Sequence, residues 1–369
     1  MKSLIIGLLG LCTSVTLATS AIAQDYQVGD KVVVIADAAL KLSGDTEVGE
    51  VSLGDVLQVK ALNDKWLWVK DDKSGWLDQK HVIPLNRAAI ERFTKLVKEY
   101  PKRAGVYVKR GNVWLNLNET ESAIADFTEA IRLDPKMTVA HNNRGAAWFS
   151  QGDHDKAIED YSEAIRLDPK EKLGYYNRGN VWLEKGDFDK AIENYNEAID
   201  LDPKMSQAYC NRGIAWHNKG DFDKEIADYD EAIRLEPKLS AAYINRGYAL
   251  YEKGEYDRAI QDYNENIRLE PNTADGYNEL AWLLATCPSA EHRNGKLAVR
   301  HATKACELTS WKNDSYIDTL SASYAAVGDF MEAIETLDQA IKLNPDADKE
   351  TRAAMRAAFK QEKPYVDEA

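Results

Sequence analysis

Hydrophobic and polar positions follow two different periods in this chain, and the change falls near residue 86. From Val28 to about Leu85 the period is two. Asp55 to Leu62 sets Val56, Gln58 and Lys60 against Leu57, Val59 and Ala61, and Lys31 to Ala36 is rich in β-branched residues. Gly29-Asp30, Ser43-Gly44-Asp45, Gly54-Asp55, Asn63-Asp64 and Asp71-Asp72 interrupt these runs with residues that favour chain reversal. The pattern predicts five or six short strands and a small all-β barrel over residues 24–86.

Beyond residue 86 the period becomes that of a helix. Phe188, Ala191, Ile192, Tyr195, Ala198, Ile199 and Leu201 recur at helical spacing with charged residues between them. Pro203 stops this helix, because proline has no N–H for the ladder. A helix before it, from about Leu173 to Lys185, stops at Gly186, and Asp187 can cap the amides of the next helix. Gly179 leaves room for the two helices to approach. This two-helix unit recurs. Pro101, Pro135, Pro169, Pro203, Pro237 and Pro271 are each 34 residues apart. A fixed period of this size predicts stacked helical hairpins. Ala89, Ile90, Phe93, Leu96 and Val97 mark one more helix over 87–103, placed to link the strands to the first repeat.

The small and large residues of each unit, Gly179, Trp182, Ala191, Tyr195, Ala198 and Pro203 in one copy, resemble the tetratricopeptide repeat family. The resemblance covers about three quarters of the chain beyond residue 23. It implies a mainly α fold, a right-handed α-solenoid of seven repeats over 104–347, starting near Ala104, Thr138, Lys172, Ser206, Ser240, Ala274 and Asp314. A capping helix and tail would follow over 348–369, hiding the last repeat's apolar face. The strand region resembles a bacterial SH3-like domain through Gly29-Asp30, Gly49, Gly54-Asp55, the run from Trp66 to Val69, and Gly75-Trp76. Some members of that family bind cell-wall peptides, which makes Trp66, Trp68 and Trp76 a candidate surface. The same aromatics also serve as core packing.

Some copies depart from the pattern. Asn118 stands where other repeats have Gly between their helices. Glu225 replaces an alanine. The sixth repeat reads Glu279-Leu280-Ala281 in place of Asn-Arg-Gly, and its connection, 288–295, is five residues longer.

Composition narrows the function. Of 369 residues, 61 are acidic and 47 are Lys or Arg, a net charge of -14. A phosphate-backbone reader needs a basic surface, so nucleic acid is not an expected partner. Lys2, the apolar run from Leu4 to Ala18, and Ala21-Ile22-Ala23 have the form of a signal peptide cleaved after Ala23. That predicts an exported protein of the periplasm or cell envelope, not an integral membrane protein once cleaved. An uncleaved anchor is the alternative. Three cysteines remain beyond the leader, without metal-like spacing. No nucleophile elbow, zinc-binding helix motif or phosphate loop is present, so no catalytic residue, cofactor or metal is assigned. His81, His141, His154, His217, His292 and His301 are scattered, and His141 stands where other repeats have Tyr.

The repeat instead offers a concave wall built from its first helices. Tyr175, Gly179 and Trp182 pack inward, which turns Tyr176, Asn180 and Leu183 toward that wall. Equivalent stripes are Asn142, Ala146 and Phe149; Cys210, Ile214 and His217; and Ile244, Tyr248 and Tyr251. This apolar and aromatic lining suits a peptide segment. Asn143, Asn177, Asn211 and Asn245 recur once per repeat, and an amide can pair with a peptide backbone whatever its sequence. Asparagine ladders of this kind occur in the family resembled; bonding to a neighbouring helix is the other reading. Arg110, Arg144, Arg178, Arg212 and Arg246 follow that column. Asp126, Asp160, Asp228 and Asp262 recur at a matching period in the second helices, with Asn194 interrupting, so a repeated Arg–Asp pair is expected. The function these features predict is a non-catalytic adaptor or scaffold holding a protein or peptide segment. A peptidoglycan binder whose repeats recruit partners is the first alternative. An enzyme of unknown class, marked by a closed polar pocket, is the second.

Overall fold

The computed structural model describes residues 29–34, 38–41, 47–51, 56–63, 66–70, 74–78 and 82–367. The expected leader over 1–23 and its cleavage site lie outside them. Among the described residues seven strands occur: β1 Lys31–Val34, β2 Ala38–Lys41, β3 Glu47–Val51, β4 Val56–Asn63, β5 Trp66–Lys70, β6 Ser74–Asp78 and β7 Val82–Pro84. All pair antiparallel, in the order β3-β2-β6-β5-β4-β1-β7. The strand beyond the expected five or six is β7, three residues that end on a proline. Among the described residues it pairs with β1 alone and forms an edge of the sheet, the position in which a strand tolerates proline.

The alternation expected in β4 is present: Leu57 and Val59 are buried, whereas Lys60 is exposed. β1 does not alternate, because both of its faces are covered. Val32 and Val34 join Leu57, Val59, Leu67, Val69, Leu77 and Val82. Val33 packs the other way, with Leu85, Ala89, Ile90, Phe93 and Val113. The helix α1, Arg87–Glu99, is capped by the Asn86 side chain, which accepts from the Ala88 N–H at 2.9 Å. Its apolar stripe bridges the sheet to α2, Ala104–Asn116.

The helices then follow in pairs. α3 is Thr120–Leu133, α4 Thr138–Ser150, α5 His154–Leu167, α6 Lys172–Glu184, α7 Phe188–Leu201, α8 Ser206–Asn218, α9 Phe222–Leu235, α10 Ser240–Glu252 and α11 Tyr256–Leu269. α12 is Asp275–Thr286, α13 Gly295–Leu308, α14 Asp314–Ala326, α15 Phe330–Leu343 and α16 Lys349–Phe359. The chain forms two compact units that divide after Asp187, between the helices of the third repeat.

Within a hairpin, a fully buried ring on the second helix lies against a glycine of the first. A Cβ on Gly213 would stand 2.7 Å from the Tyr229 ring, closer than packing allows. Asn118 takes the left-handed conformation of the inter-helix glycines, with φ 60° against 74° at Gly220. The long connection of the sixth repeat holds a 3-10 turn, Ala290–His292, and Asn294 caps α13 by accepting from the Leu297 N–H.

α16 is fastened by Arg352, which is nearly inaccessible. Its guanidinium donates to Asp318 at 2.8 Å, to Asp314 at 2.7 Å and to the Asn344 and Ala347 carbonyls. Burial pushes the Asp318 carboxyl up to about 7, although Arg352 opposes the shift.

Candidate functional site

First helices adjoin one another within each unit: α2 with α4 and α4 with α6, then α8 with α10, α10 with α12 and α12 with α14. Each unit therefore carries a continuous wall of first helices, held by a repeated guanidinium contact. Arg110, Arg144, Arg212 and Arg246 each grip an aspartate 16 residues ahead with two parallel bonds of 2.6 to 2.8 Å, to Asp126, Asp160, Asp228 and Asp262. This is the pairing expected from the sequence.

The third nitrogen of each fork does something the sequence reading missed. Nη1 donates to an acceptor 16 residues back, on the preceding second helix. Those acceptors are Thr94, Thr128, Asn196 and Asp230, at 2.5 to 3.2 Å. Arg178 donates in the same way to Ser162 at 3.0 Å. One guanidinium thus ties a first helix to the second helices on either side of it. Because Thr94 lies on α1, that helix acts as the second helix of a preceding repeat.

The charges settle according to their surroundings. Burial raises Asp160, but Arg144 and His141 outweigh it and hold this carboxyl below the usual range. Asp228 has no histidine beside it, and burial leaves it raised despite Arg212.

The expected wall stripes differ in exposure. Asn142, Ala146, Phe149, Tyr176, Leu183, His217, Ile244 and Tyr248 are half-buried, whereas Asn180, Cys210, Ile214 and Tyr251 are buried. In the asparagine column, Asn143 and Asn177 are half-buried, and Asn211 and Asn245 are buried. Asn143 donates to the Asn112 side chain at 2.7 Å, which joins α4 to α2. The Asn245 amide is buried beside the Tyr229 hydroxyl. Trp66, Trp68 and Trp76 lie in β5 and β6, with Trp68 opposite Trp76 in register; their side chains lie outside the described residues.

Two departures from the repeat meet at the wall. Glu225, fully buried on α9, faces His217 on α8, with 3.1 Å between Oε2 and Nδ1. Burial raises the Glu225 carboxyl, and His217 offsets part of the shift. The His217 ring also meets Tyr248 edge-on at 5.4 Å. The signal for this pairing was two unusual residues in one repeat, eight apart. His141 likewise faces Asp160 and the Pro135 carbonyl, both at 3.3 Å.

Among the described residues, no three His, Cys, Asp or Glu side chains are grouped to hold a metal. Cys210, Cys287 and Cys306 are buried free thiols; burial pushes Cys210 and Cys306 up to about 12.

Family profiles described as tetratricopeptide repeat match residues 86–138, 138–171, 206–239, 240–273 and 318–347, and one described as TPR repeat matches 179–220. Together they cover more than half of the chain. No curated protein matches it. Among solved structures, the APC/C hetero-tetramer Cut9-Hcn1 is 22% identical, with a TM-score of 0.54 over 64% of this chain and 46% of that one. The chain thus spans less than half of that relative, and the likeness is one of fold. PilF of Pseudomonas aeruginosa is 18% identical, with a TM-score of 0.48 over 70% of this chain and 97% of that one. YrrB, a TPR protein with an unusual peptide-binding site, is 21% identical, with a TM-score of 0.43 over 51% and 96%.

Proposed function

Because this chain belongs to the tetratricopeptide repeat family, we propose that it is a non-catalytic adaptor that holds a peptide or protein segment along the first-helix walls of its repeats. The observation that carries this reading is the wall itself. Adjoining first helices present half-buried aromatic, aliphatic and amide side chains, while four of their arginines are taken up between helices by aspartates. A surface of that kind favours a neutral extended or helical segment over a phosphate. The asparagines add one amide per repeat, suited to backbone pairing.

We place this activity in the cell envelope. Lys2, the apolar run from Leu4 to Ala18, and Ala21-Ile22-Ala23 support export with cleavage before Gln24. No described helix is long and apolar enough to cross a membrane. We read the strands as an SH3-like module, supported by seven antiparallel strands and by the turn residues Gly29-Asp30. Peptidoglycan binding by that module rests on the three tryptophan side chains alone and is not proposed.

A photoreactive residue at Ala146, on the wall, and one at exposed Glu159, on α5, test the reading in native cells. Capture of one discrete protein at Ala146 and not at Glu159, reduced by Asn143→Ala with Asn177→Ala, is the expected result. Equal capture at the two positions, or none at Ala146, rejects the wall as the binding surface.

A further inference from the structure

Part of the second unit's wall, at α10 and α12, is already occupied. After α16 the chain turns at Glu362, whose φ is 54°, and residues 365–367 lie against α10 and α12. Three kinds of contact hold residues 365–367. The Tyr365 ring lies 6.0 Å from the Trp282 ring. The Asp367 carboxylate accepts from the Trp282 indole N–H at 2.8 Å and from the Tyr251 hydroxyl at 3.2 Å. The Asp367 N–H donates to the Thr286 carbonyl at 2.9 Å. Tyr251 belongs to the same stripe as Ile244 and Tyr248, the one expected to meet a ligand. Tyr365 to Asp367 are half-buried there, while residues 361–364 are exposed.

The contacts read specific chemistry: a ring, a backbone N–H two residues later, and a carboxylate on that same residue. Both donors to the carboxylate, an indole N–H and a phenol O–H, are neutral. Glu279 and Glu252 stand near Tyr248 on the same wall. Such a site holds one short segment by geometry more than by charge.

Building on the reading of the first-helix wall as a peptide surface, we propose that Tyr251, Trp282 and Thr286 form a docking site for an extended segment with an aromatic residue two places before an aspartate, and that residues 365–367 fill this site in cis until a partner segment of that class displaces them. A tethered segment competes at an effective concentration of about millimolar. A partner peptide must outbid it, so the site answers only to a ligand presented at high local concentration or bound at other repeats as well.

The test uses the full chain and a labelled peptide with the sequence of residues 363–369, followed by fluorescence anisotropy. Tyr365→Ala with Asp367→Ala empties the site by changing the docked segment alone. This variant is expected to bind the peptide at least tenfold more tightly than the unaltered chain. Adding Tyr251→Phe, which removes one donor and keeps the ring, is expected to cost severalfold. Equal affinity for the unaltered and emptied chains, no binding to the emptied chain, or indifference to Tyr251→Phe would each overturn the proposal. Its failure is separable from that of the general reading, since capture at Ala146 is measured in the other unit.

Discussion

At the scale of single residues, the arginine fork carries the clearest energetic consequence. The four paired aspartate side chains are 6 to 8% exposed, and their arginines are 17 to 22% exposed. Pairs this enclosed are not the weak surface type, and removing one partner leaves a buried charge. A double-mutant cycle of Arg212→Met and Asp228→Asn, followed by urea denaturation, is expected to give a coupling of about 1–3 kcal/mol. Additivity within error would show that the geometry carries no energy. Glu279 supplies a different residue-scale effect. It replaces the repeated asparagine, and burial pushes its carboxyl up to about 7, with Asp275 adding to the shift and the Asn278 amide opposing it. The folded state therefore prefers the protonated acid. The stability this gives is complete below the unfolded value of about 4.3 and is lost as pH rises through about 7. Relative to Glu279→Gln, the unaltered chain should lose stability across that window and stay level above it. A difference between the two chains that does not change with pH would exclude this account.

At the scale of elements, the sequence shows the ends of helices better than their joints. The prolines spaced by 34 and the glycines before capping carboxylates place both helices of a repeat, because those residues act on their own backbone. The partner 16 residues ahead was also legible, since aspartate recurs there. The partner 16 residues behind was not. Thr94, Thr128, Ser162, Asn196 and Asp230 share an acceptor oxygen and little else, so their common role leaves no repeated letter. The connection of the sixth repeat was visible as extra length, but not as a close contact. A Cβ on Gly295 would stand 2.7 Å from the Ala326 carbonyl carbon and oxygen, which are backbone and cannot rotate away. Gly295→Ala is therefore expected to destabilise the chain by about 1–3 kcal/mol, read as a lower thermal midpoint. An unchanged midpoint would mean that α13 and α14 can separate at little cost.

At the scale of the molecule, the helical region was far more legible than the strand region. A period repeated many times averages out local exceptions, whereas seven short strands offer one copy of each signal. β1 shows the difficulty: three successive buried valines read as a β-branched run, and only α1 explains why both faces are covered. The docked segment was invisible for another reason. Tyr365 and Asp367 lie beyond the last periodic helix, and nothing in their spacing names Trp282 or Tyr251 as partners.

The arginine joints also bear on how such a chain can change its length. Each fork reaches equally far forward and backward, so excising one whole period leaves no loose end. Without residues 206–239, Arg246 would keep Asp262 and meet Asn196, the group that already accepts from Arg212 at 2.6 Å. Inserting a copy would close in the same way. Across the arginine-bearing repeats, the number of modules is thus a quantity that duplication and loss can adjust while the same joints close, and the length of the first-helix wall scales with it.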